Sequence, residues 1–167
     1  GRGQWASSIR YHDGRFYVWF SPNDEPHRGY IYTAEDPAGE WTLVSRPPHH
    51  HDASLFFDDD GKCYYCGTQP RREGSRYFGD NEIYIQELDL NTMKLTGESY
   101  PAWHGALRHV EWPEGPHIYK KDGYYYLMNA EGGTGPNHSM TISRSRSVWG
   151  PYEGNPNNPI LTHRHLG

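Results

Sequence analysis

The chain has 167 residues, a net charge of -5 and only 34% hydrophobic residues, yet 15% of its residues are Phe, Trp or Tyr. Disorder pairs low hydrophobicity with high net charge and few aromatics, so this composition points instead to an ordered fold that buries rings. A pI near 6.1 argues against nucleic acid as a partner, which needs clustered Lys and Arg, and no apolar run approaches the ~20 residues that span a bilayer.

In chain order, residues 8–20 read as a β-hairpin turning at Asp13-Gly14, followed by a third strand at 29–33 and a short fourth at 39–42. Residues 55–65 repeat the pattern around Asp60-Gly61, with further strands at 82–86 and 93–97. Residues 117–127 repeat it again around Asp122-Gly123, followed by 139–143 and 149–152. Asp-Gly between β-branched and aromatic runs is a strong hairpin signal, because a type I′ turn needs positive φ at both central residues. Four antiparallel strands repeated in this way describe a propeller blade. The expected fold is therefore all-β, a single partial β-propeller domain over 1–167 with blades at about 5–46, 50–98 and 112–155. Residues 70–81 and 98–113 read as long connections that shape specificity. Within 70–81, Arg71, Arg72 and Arg76 are interrupted by Glu73 and read as a solvated surface.

Several tempting features read as structural. Cys63 and Cys66 lie three apart in a strand, hence on opposite faces, which suits packing rather than a disulfide or a zinc site. The consecutive His49, His50 and His51 cannot all face one ion from an extended segment; one or two of them are expected beside Asp52. Asp58-Asp59-Asp60-Gly61 lacks the alternating ligands of a calcium loop and reads as a turn. No metal site is expected within the chain.

Counting back eight residues from Asp13, Asp60 and Asp122 reaches Trp5, Asp52 and Glu114. An aromatic and two carboxylic acids at one repeat position, at the start of innermost strands, would converge on one channel mouth. That set suits glycoside hydrolysis, in which one carboxylic acid protonates the leaving oxygen, a second carboxylate assists and an aromatic ring holds the sugar. Glu114 is then expected in a partly desolvated setting. His117 and His138 are further pocket candidates.

The motifs carry a resemblance. Trp5-Ala6-Ser7-Ser8-Ile9-Arg10, His51-Asp52-Ala53-Ser54-Leu55-Phe56, Glu114-Gly115-Pro116-His117, Glu131-Gly132-Gly133-Thr134 and the segment Ser143 to Glu153 are similar, in order, to segments of glycoside hydrolase family 43. The resemblance implies a five-bladed β-propeller and an inverting β-xylosidase or α-L-arabinofuranosidase acting on xylose- or arabinose-containing oligosaccharides, as in xylan and hemicellulose degradation. It implies Glu114 as general acid, Asp52 as the carboxylate that orients the acid and tunes its pKa, and Trp5, His51, Thr134, His117 and His138 as substrate contacts. Ser7 and Ala53 depart from the family's prolines, which loosens φ but leaves the acid and the Trp in place.

The family's general base precedes the Trp5 segment, and no residue here matches it. The chain is therefore expected to be a fragment of about three blades, with little or no hydrolysis on its own. No cofactor is expected, apart from a calcium ion that some members hold on the propeller axis, here only in the full-length protein. A signal-peptide h-region is not seen, but Gly1 looks like an arbitrary start, so the compartment stays open. Two other readings compete: a non-catalytic carbohydrate-binding propeller that keeps the aromatic platform, and a structural propeller that binds protein.

Overall fold

A computed structural model describes residues 3–24, 28–48 and 52–166. The chain is all-β, built from three antiparallel sheets. The first has the order β1 (Ser8–His12), β2 (Arg15–Phe20), β3 (Tyr30–Ala34), β4 (Thr42–Ser45). The second is β5 (Ser54–Phe57), β6 (Cys63–Pro70), β7 (Asn81–Asp89), β8 (Lys94–Trp103). The third is β9 (Glu114–Lys121), β10 (Tyr124–Glu131), β11 (Ser139–Ser145), β12 (Glu153–Gly154), with β13 (Leu161–Thr162) also on β11. The only helix among the described residues is a 3-10 turn at Arg164–Leu166.

Two of the three hairpins close as their turn chemistry predicts. Asp13 and Gly14 take φ 46° and 77°, and Asp122 and Gly123 take 50° and 74°, the paired left-handed conformations of a type I′ turn. The middle hairpin differs. Phe57 pairs with Cys63, so Asp58 to Lys62 form a longer loop, closed by Asp58 N–H on Lys62 O at 2.9 Å and Gly61 N–H on Asp58 O at 3.1 Å. The extra aspartates lengthen the loop because Asp58 is buried and committed elsewhere: it accepts hydrogen bonds from Lys120 Nζ and from Tyr125 Oη in the third sheet. Trp5 and Glu114 each lie seven residues before the last paired residue of their strand, His12 and Lys121, and Asp52 lies five before Phe57.

Other boundaries shift for local reasons. The segment expected as a connection from residue 98 is strand as far as Trp103; two register shifts against β7 carry β8 past Gly97, and Pro101 is tolerated because β8 is an edge strand. The first sheet's last strand begins at Thr42, after a turn in which Gly39 N–H bonds Asp36 O at 2.9 Å. The third sheet's fourth strand is not 149–152 but Glu153–Gly154. Residues 147–150 are spent on a turn, Gly150 N–H to Ser147 O at 3.0 Å, and Pro151 has no N–H to offer a ladder.

The sheets pack face to face around the second. One core joins the first two sheets through Trp19, Ile31, Leu55, Cys63 and Tyr65. The other joins the second and third through Phe56, Cys66, Ile83, Ile85, Ile118 and Leu127. The central sheet is covered on both faces, so β6 and β7 read as nearly unbroken buried runs. Cys63 and Cys66 are free and feed different cores, as their spacing requires. The outer sheets keep one face open, with Ile9, Tyr11 and Tyr119 exposed.

Candidate active site

The first strands of the three sheets lie side by side, β1 against β5 and β5 against β9. Small hydroxyls lock them at one end. Ser8 Oγ donates to Ala53 O at 3.0 Å, Ser54 Oγ to Pro116 O at 2.5 Å, and Thr68 Oγ1 to Pro113 O at 2.6 Å. Each bond joins neighbouring sheets, and the last two bracket Glu114 on either side.

Glu114 opens β9 opposite Ala130, at a bulge where β9 carries one more residue than β10. Gly115 supplies the bulge with φ 56°. Asp52 stands just ahead of β5 with φ 49°, a conformation that Asp tolerates better than most residues. Burial, and after it the negative charge of Asp52, together push the Glu114 carboxyl up to about 7. Burial also raises Asp52, to about 6, while the backbone amide of Ala6 pulls the other way. Oδ1 of Asp52 is buried with no hydrogen-bond partner among the described residues. The structure thus brings Asp52 and Glu114 into one electrostatic field and places Ala6, the neighbour of Trp5, against Asp52. Near neutral pH this pair can hold a proton on Glu114 beside an ionised Asp52, as a general acid requires.

Trp5 is 40% exposed, and its backbone N–H is bonded to Ser21 O at 3.0 Å. His117 Nδ1 receives Arg10 Nη2 at 2.6 Å, so any ligand contact must use Nε2. Burial and then the Arg10 charge lower His117 to about 4. His138 Nδ1 donates to Gly133 O at 2.6 Å, closing the loop that exposes Thr134. His51 lies outside the described residues. Among the described residues, no group of three or more His, Cys, Asp or Glu could hold a metal ion.

Sequence reasoning missed two residues. Arg10 ends the Trp5 motif but shows its role only through His117, 107 positions away. Glu131 opens the Glu131-Gly132-Gly133-Thr134 motif, which by itself assigns it no role. It is buried, and its carboxylate accepts Ala106 N–H at 2.9 Å, Thr141 Oγ1 at 2.8 Å and Trp103 Nε1 at 3.2 Å. A carboxylate followed by two glycines at a strand end was the only signal available for it.

A family model for glycosyl hydrolases family 43 matches residues 1–166. The chain is 53% identical over 99% of its length to a xylosidase/arabinosidase of Butyrivibrio fibrisolvens, covering 33% of that protein. It is 41% identical over 97% of its length to a xylan 1,3-beta-xylosidase of a Vibrio species, covering 31% of it. The crystal structure of a xylan beta-1,4-xylosidase from Bacillus halodurans superposes with a TM-score of 0.82 at 37% identity, over 96% of this chain and 31% of that one. The chain thus spans about a third of the length of the curated relatives it matches.

Proposed function

The chain belongs to glycosyl hydrolases family 43, and from that premise we propose that it carries the acid side of an inverting glycosidase for xylose- or arabinose-containing oligosaccharides. The observation that carries this reading is Glu114, whose carboxyl is raised to about 7 by burial and by Asp52. In the proposed step the Glu114 carboxyl gives its proton to the glycosidic oxygen as the bond from that oxygen to the anomeric carbon breaks. A water attacks the opposite face of the sugar, and a base takes the water's proton. Among the motifs matched here none supplies that base, so the reaction belongs to the longer polypeptide. Asp52 keeps Glu114 protonated between turnovers. Trp5 stacks on the sugar, while His117 through Nε2, His138 and Thr134 line the rim; His51 belongs to the same proposal by motif alone.

The three sheets serve in this reading as consecutive blades of a five-bladed propeller, together forming part of one catalytic domain. The open faces bearing Ile9, Tyr11 and Tyr119 are where neighbouring blades would pack, since uncovered sheets invite association. No step of the proposed reaction is routed through a metal.

The test is hydrolysis of an aryl β-xyloside and an aryl α-L-arabinofuranoside by the full polypeptide containing this segment, beside its Glu114→Ala variant. Loss of about 100-fold or more in the variant on substrates with poor leaving groups supports the acid, and the preferred substrate identifies the sugar. Sugar binding with no turnover in the unaltered polypeptide would favour the carbohydrate-binding reading instead.

A further inference from the structure

Trp112 has a backbone conformation that a bulky side chain rarely adopts, with φ 54°. Such a conformation persists only where its surroundings over-determine it, and here they do. The Trp112 N–H bonds Gly79 O at 2.8 Å, from the loop between β6 and β7. The preceding carbonyl, Glu111 O, accepts the Gly132 N–H at 2.7 Å, from the end of β10. The indole itself lies between two glycines. A Cβ placed on Gly79 would come within 3.0 Å of the indole Cε2 and Nε1, and one on Gly133 within 3.1 Å of Cδ1. Both glycines have positive φ, +79° and +63°, so neither accepts a side chain easily. Phe78 closes against the indole edge-on at 5.0 Å.

The second and third sheets therefore grip Trp112 together, two residues ahead of Glu114. Beyond it Pro113 O is held by Thr68. The other end of the same connection is tied down by Glu131 at Ala106. From this geometry we propose that Trp112 is a positioning residue for the proton donor: its indole, locked between Gly79 and Gly133, sets the point and direction from which Glu114 enters β9. This rests on Glu114 being the acid. The physical consequence is specific, because displacing a catalytic group by about 1 Å can cost on the order of 100-fold in rate, and only the proton-transfer part of the reaction should suffer.

The experiment uses the full polypeptide and a series of aryl glycosides whose phenol leaving groups range from poor to good. A good leaving group departs without a proton, so it reports everything except the acid. For Trp112→Ala the expected result is a loss of about 100-fold on the poorest leaving group and a change within about threefold on the best. Trp112→Phe should recover part of the loss. Gly133→Ala, which pushes on the indole, should lose activity in the same leaving-group-dependent way, and it and Trp112→Phe carry the test if Trp112→Ala does not fold. Equal losses across the series, or no loss at all, would overturn the positioning role. Glu114→Gln is the reference: if it shows no leaving-group dependence, the assignment of the acid falls and this inference with it. If Glu114→Gln shows the dependence and the Trp112 and Gly133 variants do not, only the present inference falls.

Discussion

Arg10 in the first sheet donates from Nη2 to Nδ1 of His117 in the third, at 2.6 Å, reaching past the sheet between them. The bond requires a neutral His117 with its proton on Nε2, because a protonated ring has no acceptor. Burial, and then the Arg10 charge, hold His117 at about 4. The contribution to stability has a definite sign. A histidine lowered on folding stabilises the fold above its unfolded value of about 6.5, and this stability is lost as pH falls through the folded value.

His117 should thus remain neutral at about pH 5, where an ordinary histidine is mostly charged. Titrating the ring resonances by NMR checks this, and a midpoint near the ordinary value would contradict it. Arg10→Met should raise the midpoint only in part, because burial is the larger cause.

The carboxyl pair has the opposite sign. Glu114 and Asp52 are raised on folding, so the stability they contribute is fully present below their unfolded values and is lost as pH rises through about 7 and about 6 respectively. Glu114→Gln removes the penalty of ionising a buried acid. The variant should gain on the order of 2 kcal/mol relative to the unaltered chain at alkaline pH, after discounting for solvent screening, and little at pH ~4. Urea unfolding at the two pH values measures the difference; an equal effect at both would count against a raised Glu114.

The same pair predicts the rate profile of the full polypeptide. Activity on poor leaving groups should fall above about pH 7, as Glu114 loses its proton. Asp52→Asn should move that alkaline limb to lower pH, by less than the whole shift, since burial is the larger cause. A limb that does not move in Asp52→Asn would separate the two carboxyls electrostatically.

Glu131→Ala should destabilise the chain by about 2 kcal/mol or more, because it takes the acceptor from buried Thr141 and from the half-buried donors of Ala106 and Trp103. Glu131→Gln should cost less, since it keeps one acceptor oxygen. Chemical denaturation of the two variants gives the comparison, and equal costs would mean that neither the side chain's volume nor one remaining acceptor oxygen counts, only the intact carboxylate.

Asp58→Ala should cost about 2 kcal/mol, because it removes the acceptor that Lys120 and Tyr125 of the third sheet share. Burial opposes ionisation of Asp58, but the hydrogen bonds from Lys120 and Tyr125 overcome it and the net shift is downward. The contribution is therefore present above about 3.8 and fades as pH falls below it. Denaturation at neutral and strongly acid pH should show the variant's deficit shrinking in acid.

Short-range chemistry determined a good deal of this molecule. Asp-Gly dipeptides turn a chain because of what two adjacent residues can adopt, so the hairpins at Asp13 and Asp122 followed from the sequence alone, as did the all-β class and the opposite faces of Cys63 and Cys66. The ordered motifs likewise singled out Trp5, Asp52 and Glu114. The tertiary structure decided what depends on distant partners. The loop at Asp58 is longer than its Asp-Gly pair suggests, because Lys120 and Tyr125 capture its first aspartate. β8 runs on to Trp103 because β7 is there to pair with it. Arg10 and Glu131 acquire roles only when residues far along the chain close around them. The raised Glu114 carboxyl is of the same kind, since burial and a neighbouring charge are properties of packed sheets and not of any short segment.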